Sequence, residues 1–239
     1  MIKFSLGGYE DTKSTSCGIV SNNGNIFVID RQNDAIQVFD QNGKFLMKFG
    51  SSGSSNGQFT RPSAIAINSN ENILVFDSLN YRVQIFDQNG NFLITFETLK
   101  DQNVKFMERF GLSFGYIRRY ALQAIAIDAN GNILLTDNNK VQMFNQNGKF
   151  LTMFGDQEDR SINPCGIAID NSKNVFITDS YSHMVHVFDQ NGKFLTSFGS
   201  KGSADGEFNC PAGIAIDNDE NIMICDSQNQ RICIYRRDF

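Results

Sequence analysis

Five aspartates, Asp30, Asp77, Asp137, Asp179 and Asp226, each close an apolar run such as NIFVID or NVFITD. Carboxylates gathered in this way could coordinate a metal or exchange protons with a substrate. A group that returns once per repeat better suits a structural duty, accepting backbone N–H bonds from the loop after it. The only two histidines, His183 and His186, are three residues apart with a strand beginning between them, which predicts opposite faces. Zinc needs three or four converging ligands, and a serine nucleophile needs a G-x-S-x-G elbow or a triad context; neither pattern is present. The SSGSSNG stretch at Ser51–Gly57 reads as flexible and lacks phosphate-cradling glycine spacing. No metal, cofactor or catalytic residue is expected.

The elements that position these groups follow from a repeated heptapeptide. DQNGKFL at Asp40–Leu46 returns at Asp87–Leu93, Asn145–Leu151 and Asp189–Leu195. Each copy predicts a hairpin whose Asn-Gly supplies two residues tolerant of positive φ. Around each copy lie four short strands, A to D, in units beginning at Gly18, Ala64, Ala124, Gly166 and Gly213, the fifth unit stopping after strand C. Strand A alternates isoleucine with Ala66, Ala126, Ala168 or Ala215, which suits a crowded inner position. Strand D carries phenylalanines four apart, such as Phe45 and Phe49, expected as wedges between sheets in a chain with 22 Phe and no Trp. Hairpins recurring at this spacing predict a single all-β propeller over residues 1–239.

Two segments depart from the repeat. IKFSLGG, within residues 2–8, resembles a strand D, and its expected partner is the last unit, 213–239, completing a fifth blade and closing the ring. The strand-B aspartates are spaced 47, 60, 42 and 47 residues apart, so the surplus falls in an irregular insert at 98–123. It reads as an extra hairpin, with a blade that lost its first three strands as the alternative.

The run P-x-G-I-A-I-D followed by D-S-x-N-x-R-V-Q-V-F-D-x-N-G-K-F-L, seen at Pro62–Phe96, Pro164–Phe208 and Pro211–Tyr235, resembles the NHL-repeat β-propeller family known from TRIM-NHL proteins. The resemblance implies a toroidal fold, here with five blades where the family usually has six. It further implies an interaction module, with protein or RNA as the bound partner.

In such a topology the A–B and C–D turns share one rim, whose Asp and Asn residues read as turn formers; calcium is the alternative, without EF-hand spacing. The B–C and D–A connections share the other rim, which collects seven of the ten arginines. Arg61, Tyr81, Arg82, Arg118, Arg119, Tyr120, Tyr181, His183 and Arg231 are the candidate partner-binding residues there, as arginine beside aromatics suits protein hot spots and phosphate alike. For Arg82 and Arg231, bracing of neighbouring loops is the competing duty. The expected function is a non-enzymatic scaffold binding a protein partner, with RNA binding on the same rim as the alternative and a metal-dependent propeller hydrolase or lyase behind it.

A net charge of −5 and a pI near 5.0 weigh against nucleic acid without excluding a local basic patch. Five cysteines, an odd number without paired spacing, and no apolar leader after Met1 predict reduced thiols in a cytoplasmic monomer. Cys17 and Cys165 share one repeat position where small size explains the residue; redox chemistry between them is the alternative. No apolar run reaches the roughly 18 residues of a membrane span.

Overall fold

The computed structural model describes residues 18–99, 123–137, 139–157 and 160–236. The chain divides into two compact units, Met1–Lys105 and Phe106–Phe239. In the first unit, β1 (Ile19–Asn22), β2 (Asn25–Asp30), β3 (Ala35–Asp40) and β4 (Phe45–Phe49) form one sheet. A second consists of β5 (Pro62–Ile67), β6 (Ile73–Asp77), β7 (Arg82–Phe86) and β8 (Phe92–Glu97). In the second unit, β9 (Ile125–Ile127), β10 (Ile133–Asp137), β11 (Lys140–Phe144) and β12 (Phe150–Phe154) form a third sheet, followed by the short ribbon β13 (Asp156–Gln157) and β14 (Arg160–Ser161). A fourth sheet contains β15 (Pro164–Ile169), β16 (Val175–Asp179), β17 (Met184–Phe188) and β18 (Phe194–Phe198), and a fifth has β19 (Pro211–Ile216), β20 (Ile222–Asp226) and β21 (Arg231–Tyr235). Every pairing between strands of a sheet is antiparallel and follows chain order, so the fold is an all-β propeller whose described residues supply five blades. Among the described residues helix is limited to 3-10 turns at Ser78–Asn80 and Ser227–Asn229. The expected closing strand at 2–8, Cys17, and residues 100–122 of the insert, with Arg118, Arg119 and Tyr120, lie outside the described residues.

In β20 Cys225 is exposed, but the second strand of three other blades is buried along its length: ILVFD of β6, ILLTD of β10 and VFITD of β16 have no exposed position. These runs are continuously apolar rather than alternating because both faces are covered. The cores lie between neighbouring sheets. Phe27, Ile29, Ile36 and Val38 of the first blade pack on Ile65, Ile73, Val75 and Phe86 of the second. In the other unit, Leu134, Val141 and Met143 meet Ile167, Val175 and Phe188, and Phe176, Val185 and Val187 meet Ile222 and Ile224. Each such side chain contributes about 1.5–3 kcal/mol on burial.

The phenylalanine pairs divide their labour. Phe49 reaches Phe86 of the next blade with ring centroids 5.0 Å apart, Phe154 reaches Phe188 at 5.1 Å, and Phe198 reaches Tyr235 at 5.2 Å. Their partners four residues earlier do not share this role. A bulge next to Phe39 shifts the register, and Phe45, 51 % exposed, stands edge-on to Phe39 of its own sheet at 5.8 Å. The same shift recurs in β8, β12 and β18, bending each outer strand and discouraging further pairing at its edge.

The QNG turns also differ from expectation. In Asp40–Lys44 only Gly43 has positive φ, 82°, and its N–H donates to the Asp40 carbonyl at 2.9 Å, so this is a longer turn ending in a glycine bulge. The two-residue turn with both central φ positive is at Asn23 and Gly24, φ 50° and 79°. Asp40 Oδ1 accepts the N–H groups of Asn42 and Lys44, both at 2.9 Å, and Asn68, Asp87, Asp128, Asn145, Asp189 and Asp217 accept in the same way. The turn-forming reading of these residues accounts for their bonds.

Close approach of strand A to the next blade explains the small residues before its isoleucines. A methyl on Gly166 would run into the Ala212 carbonyl and come within 3.0 Å of Ile214 N and of Thr178 Oγ1. Thr178 accepts the Gly166 N–H at 2.8 Å and donates to the Ala212 carbonyl, joining the fourth and fifth blades. A methyl on the equivalent Gly213 would meet only Cys225, with Sγ at an ordinary 3.4 Å. Gly166→Ala is therefore expected to destabilise by about 1–3 kcal/mol, and Gly213→Ala to change stability little, in parallel urea unfolding.

Candidate functional site

All five strand-B aspartates are buried, with exposures between 0 % and 6 %. Each is filled by the loops around it. Asp77 accepts Thr60 N–H at 2.7 Å on Oδ1, and Asn80 Nδ2 and Arg82 Nε, both at 2.8 Å, on Oδ2. Asp226 repeats this with Asn209 N–H at 2.6 Å, Asn229 at 2.8 Å and Arg231 Nε at 2.9 Å. Asp30 is served by Asn33 and by Gln37 at 2.6 Å, and Asp137 by Gln123 and Gln142. Burial raises the Asp226 pKa, but the Asn209, Asn229 and Arg231 hydrogen bonds outweigh it and leave the pKa lowered.

The two arginines of the repeated Asn-x-Arg position are loop braces. Beyond Asp77, the Arg82 guanidinium donates to the Ser55 and Gln58 carbonyls at 2.8 Å. Arg231 holds Ser203, Ala204 and Glu207 in the same manner, at 2.8, 3.1 and 2.9 Å. SSGSSNG is thus not a loose loop. Asn80 Nδ2 clasps the Gly53 carbonyl, Gly57 N–H donates to Gln84 Oε1, and Phe59 is buried against Phe86. Glycine and serine suggested freedom because the anchoring groups lie 27 residues away in sequence.

A column missing from the sequence reading runs through the third residue of strand C: Gln37, Gln84, Gln142, His186 and Cys233. Each points a donor at its own strand-B aspartate. Aligning the strand-C runs in register was the signal that could have found it. His186 thus replaces a structural glutamine, with Nε2 3.2 Å from Asp179 Oδ2. Ser182 Oγ lies 3.4 Å from the same nitrogen. Serine, histidine and aspartate are all present, but a relay needs serine on one ring nitrogen and aspartate on the other. Here both fall on Nε2, while Nδ1 is buried without a hydrogen-bond partner among the described residues. His183 sits outside the strand at φ 61°, and its Nδ1 accepts the Cys210 N–H at 3.0 Å, leaving the proton of neutral imidazole on Nε2.

Of the other candidates, Arg61 has φ 55°, with its N–H donating to Asp34 Oδ1 at 2.7 Å. Tyr81 closes the first 3-10 turn at φ 53°. Tyr181 is 81 % exposed, at the tip of a turn whose amides at Tyr181 and Ser182 both donate to Asp179 Oδ1. In the second unit one continuous face results: His183 ties this turn to Cys210, Ser227 Oγ bonds the Cys210 carbonyl, and Asn229 and Arg231 hold 202–207. Among the described residues no three His, Cys, Asp or Glu side chains converge as metal ligands. Burial raises the Cys165 thiol pKa, as for an inert packing residue. No helix of the described residues is long and apolar enough to cross a membrane.

Blades of this pairing define the chain as a β-propeller protein. Residues 15–124 and 162–238 match DUF5128, described as a 6-bladed beta-propeller, and the chain belongs to that family. The match is to a propeller family as such; kinship with NHL repeats remains a resemblance. No curated protein sequence matches. Among solved structures the chain is similar to virginiamycin B lyase from Staphylococcus aureus, with TM-score 0.65 and 13 % identity over 93 % of this chain and 70 % of the lyase. A streptogramin B lyase has TM-score 0.67 and 14 % identity over 95 % and 70 %. A protein of unknown function from Bacteroides caccae has TM-score 0.55 and 13 % identity over 89 % and 73 %. At these identities the likeness is one of fold.

Two outcomes follow from the carboxylate column. His186→Gln restores the residue of the other blades and is expected to leave stability almost unchanged, whereas His186→Ala exposes a buried carboxylate to the loss of a donor and costs about 1–3 kcal/mol in urea unfolding. The second concerns acid. Burial raises the Asp179 pKa, but hydrogen bonds from His186, Ser182 and Tyr181 prevail and bring it down from 3.8 to about 2. A depressed carboxylate stabilises the fold above its unfolded pKa, so this contribution is complete above about pH 4 and is lost as pH falls towards 2. Chemical denaturation across that window should show the decline, and Asp179→Asn should flatten it.

Proposed function

We propose that the chain is a non-enzymatic interaction module that binds an extended protein segment on the loop face of its second unit, with Tyr181 as the anchor. The observation that carries this reading is an aromatic ring 81 % exposed on a turn whose backbone is clamped by a buried carboxylate. Exposed aromatics on rigid supports are what hot spots are made of, since little ordering entropy remains to be lost on binding. His183 and Arg231 serve this face by holding the loops beside Tyr181. In the first unit Arg61, Tyr81 and Arg82 shape the equivalent loops.

A protein segment is favoured over RNA because Arg231 is spent on loop carbonyls and the Asp226 carboxylate, and Asp205 and Glu207 accompany Lys201 on the same loop. Enzymatic action is disfavoured because Ser182, His186 and Asp179 are arranged to satisfy one another rather than to pass a proton. The structural neighbours include lyases, one a catalytically inactive histidine variant with quinupristin, and that activity is a property of those proteins.

Peptides selected by phage display on the immobilised chain are expected to lose about tenfold or more in affinity on Tyr181→Ala and to keep it on Asn191→Ala, a change in a hairpin turn between the third and fourth strands of the same blade. Peptides indifferent to Tyr181→Ala would sink the proposal. So would RNA binding that falls steeply with salt, or turnover of quinupristin abolished by His186→Ala.

A further inference from the structure

The structure assigns the Asn23–Gly24 step as a site of spontaneous covalent modification, deamidation through a cyclic imide, that unlatches the first blade from the second. The sequence holds seven Asn–Gly steps, all chemically prone to this reaction. In it the glycine backbone nitrogen attacks the asparagine Cγ, the Cγ–Nδ2 bond breaks, and Nδ2 leaves as ammonia with the proton the glycine nitrogen gives up. Water then opens the imide at one carbonyl or the other, giving aspartate or isoaspartate.

Six of the seven attacking nitrogens are held. The N–H groups of Gly43, Gly90, Gly131, Gly148 and Gly192 donate to the carbonyl that opens their turn, at 2.9–3.0 Å. Gly57 N–H donates to the buried Gln84 Oε1 at 2.9 Å. Each must give up that bond before its nitrogen can be deprotonated and turned onto Cγ. Gly24 stands apart for a geometric reason. Asn22 and Asn25 pair directly across a two-residue turn, so Asn23 and Gly24 protrude, both exposed and both at positive φ, and Gly24 N–H has no acceptor among the described residues.

The consequence lies on the second blade. Asn23 Nδ2 donates to Glu71 Oε1 at 2.8 Å, and Gln88 Nε2 donates to the other oxygen of the same carboxylate. This bond lies between exposed groups, where water and salt screen the carboxylate, so it opens at little cost, but its loss has a sign. Deamidation replaces the donor with a second carboxylate, so a link becomes a repulsion between two anions. Isoaspartate also adds a carbon to the backbone of a turn that has room for two residues only.

The purified chain, incubated in mildly alkaline buffer at physiological temperature and followed by peptide mapping with mass spectrometry, is expected to convert at Asn23 about two- to tenfold faster than at any other Asn–Gly step, the factor for opening one hydrogen bond. Another step reacting first, or Asn23 surviving while others convert, overturns the assignment. Asn23→Asp should speed amide hydrogen exchange in Asn22–Asn25, and adding Glu71→Gln should restore protection. Exchange unchanged by Asn23→Asp, or not restored by Glu71→Gln, refutes the unlatching.

Discussion

One buried carboxylate ends the second strand of every blade, and the loops around it are arranged to keep it tolerable. An unpaired charge away from water is costly, so several donors must converge on each aspartate. For Asp77 and Asp226 these come from three places: a loop amide ahead of strand A, an Asn side chain in the B–C turn, and an Arg at the start of strand C. The motif D-S-x-N-x-R is therefore a list of partners for one carboxylate. Where the Arg position holds Ala35 or Met184, the blade uses Gln37 with Asn33, or His186 with two turn amides.

This constraint decides which residues remain available for anything else. Groups that look reactive in the sequence, the aspartates, His186, Arg82 and Arg231, are committed to one another or to loop carbonyls. What the carboxylate holds is the B–C turn, through its backbone amides in the fourth blade and through an Asn side chain in the second and fifth, and the side chain at the turn's second position is left exposed. Leu79, Tyr181 and Gln228 occupy that place, and they differ from blade to blade. Rigid support with free choice of side chain is how repeat folds vary what they bind without altering how they stand.

The blades were legible because the repeat is written in the sequence: alternating isoleucines, Asn-Gly turns and strand-B aspartates recur in register, and the blade strands follow them, the β13–β14 ribbon alone falling outside the repeat. Three features were not. The bulge that takes Phe45 out of phase with Phe49 depends on pairing with Phe39, which spacing along one strand does not contain. The order in Ser51–Gly57 depends on Asn80, Arg82 and Gln84 in the next blade. The duty of His186 appears only when it is set beside Gln37, Gln84 and Gln142, since a lone histidine invites a chemical reading that a column of glutamines removes.

The same reasoning bears on the likeness to streptogramin lyases. A propeller blade is specified by its cores and its carboxylate network, and those can be met by many sequences, so identities of 13–15 % are compatible with one backbone. Acid–base catalysis through a histidine would need something further, a ring nitrogen free to exchange a proton with a ligand. His186 has one nitrogen committed to Asp179 and Ser182 and the other enclosed, and His183 uses Nδ1 to hold Cys210. Of the four ring nitrogens, His186 Nδ1 and His183 Nε2 make no hydrogen bond among the described residues, and only the second is not enclosed. A single half-buried nitrogen, with no carboxylate bonded across the ring to orient it, is a poor start for acid–base chemistry. The exposed ring of Tyr181, two residues away on the same turn, is a good start for recognition.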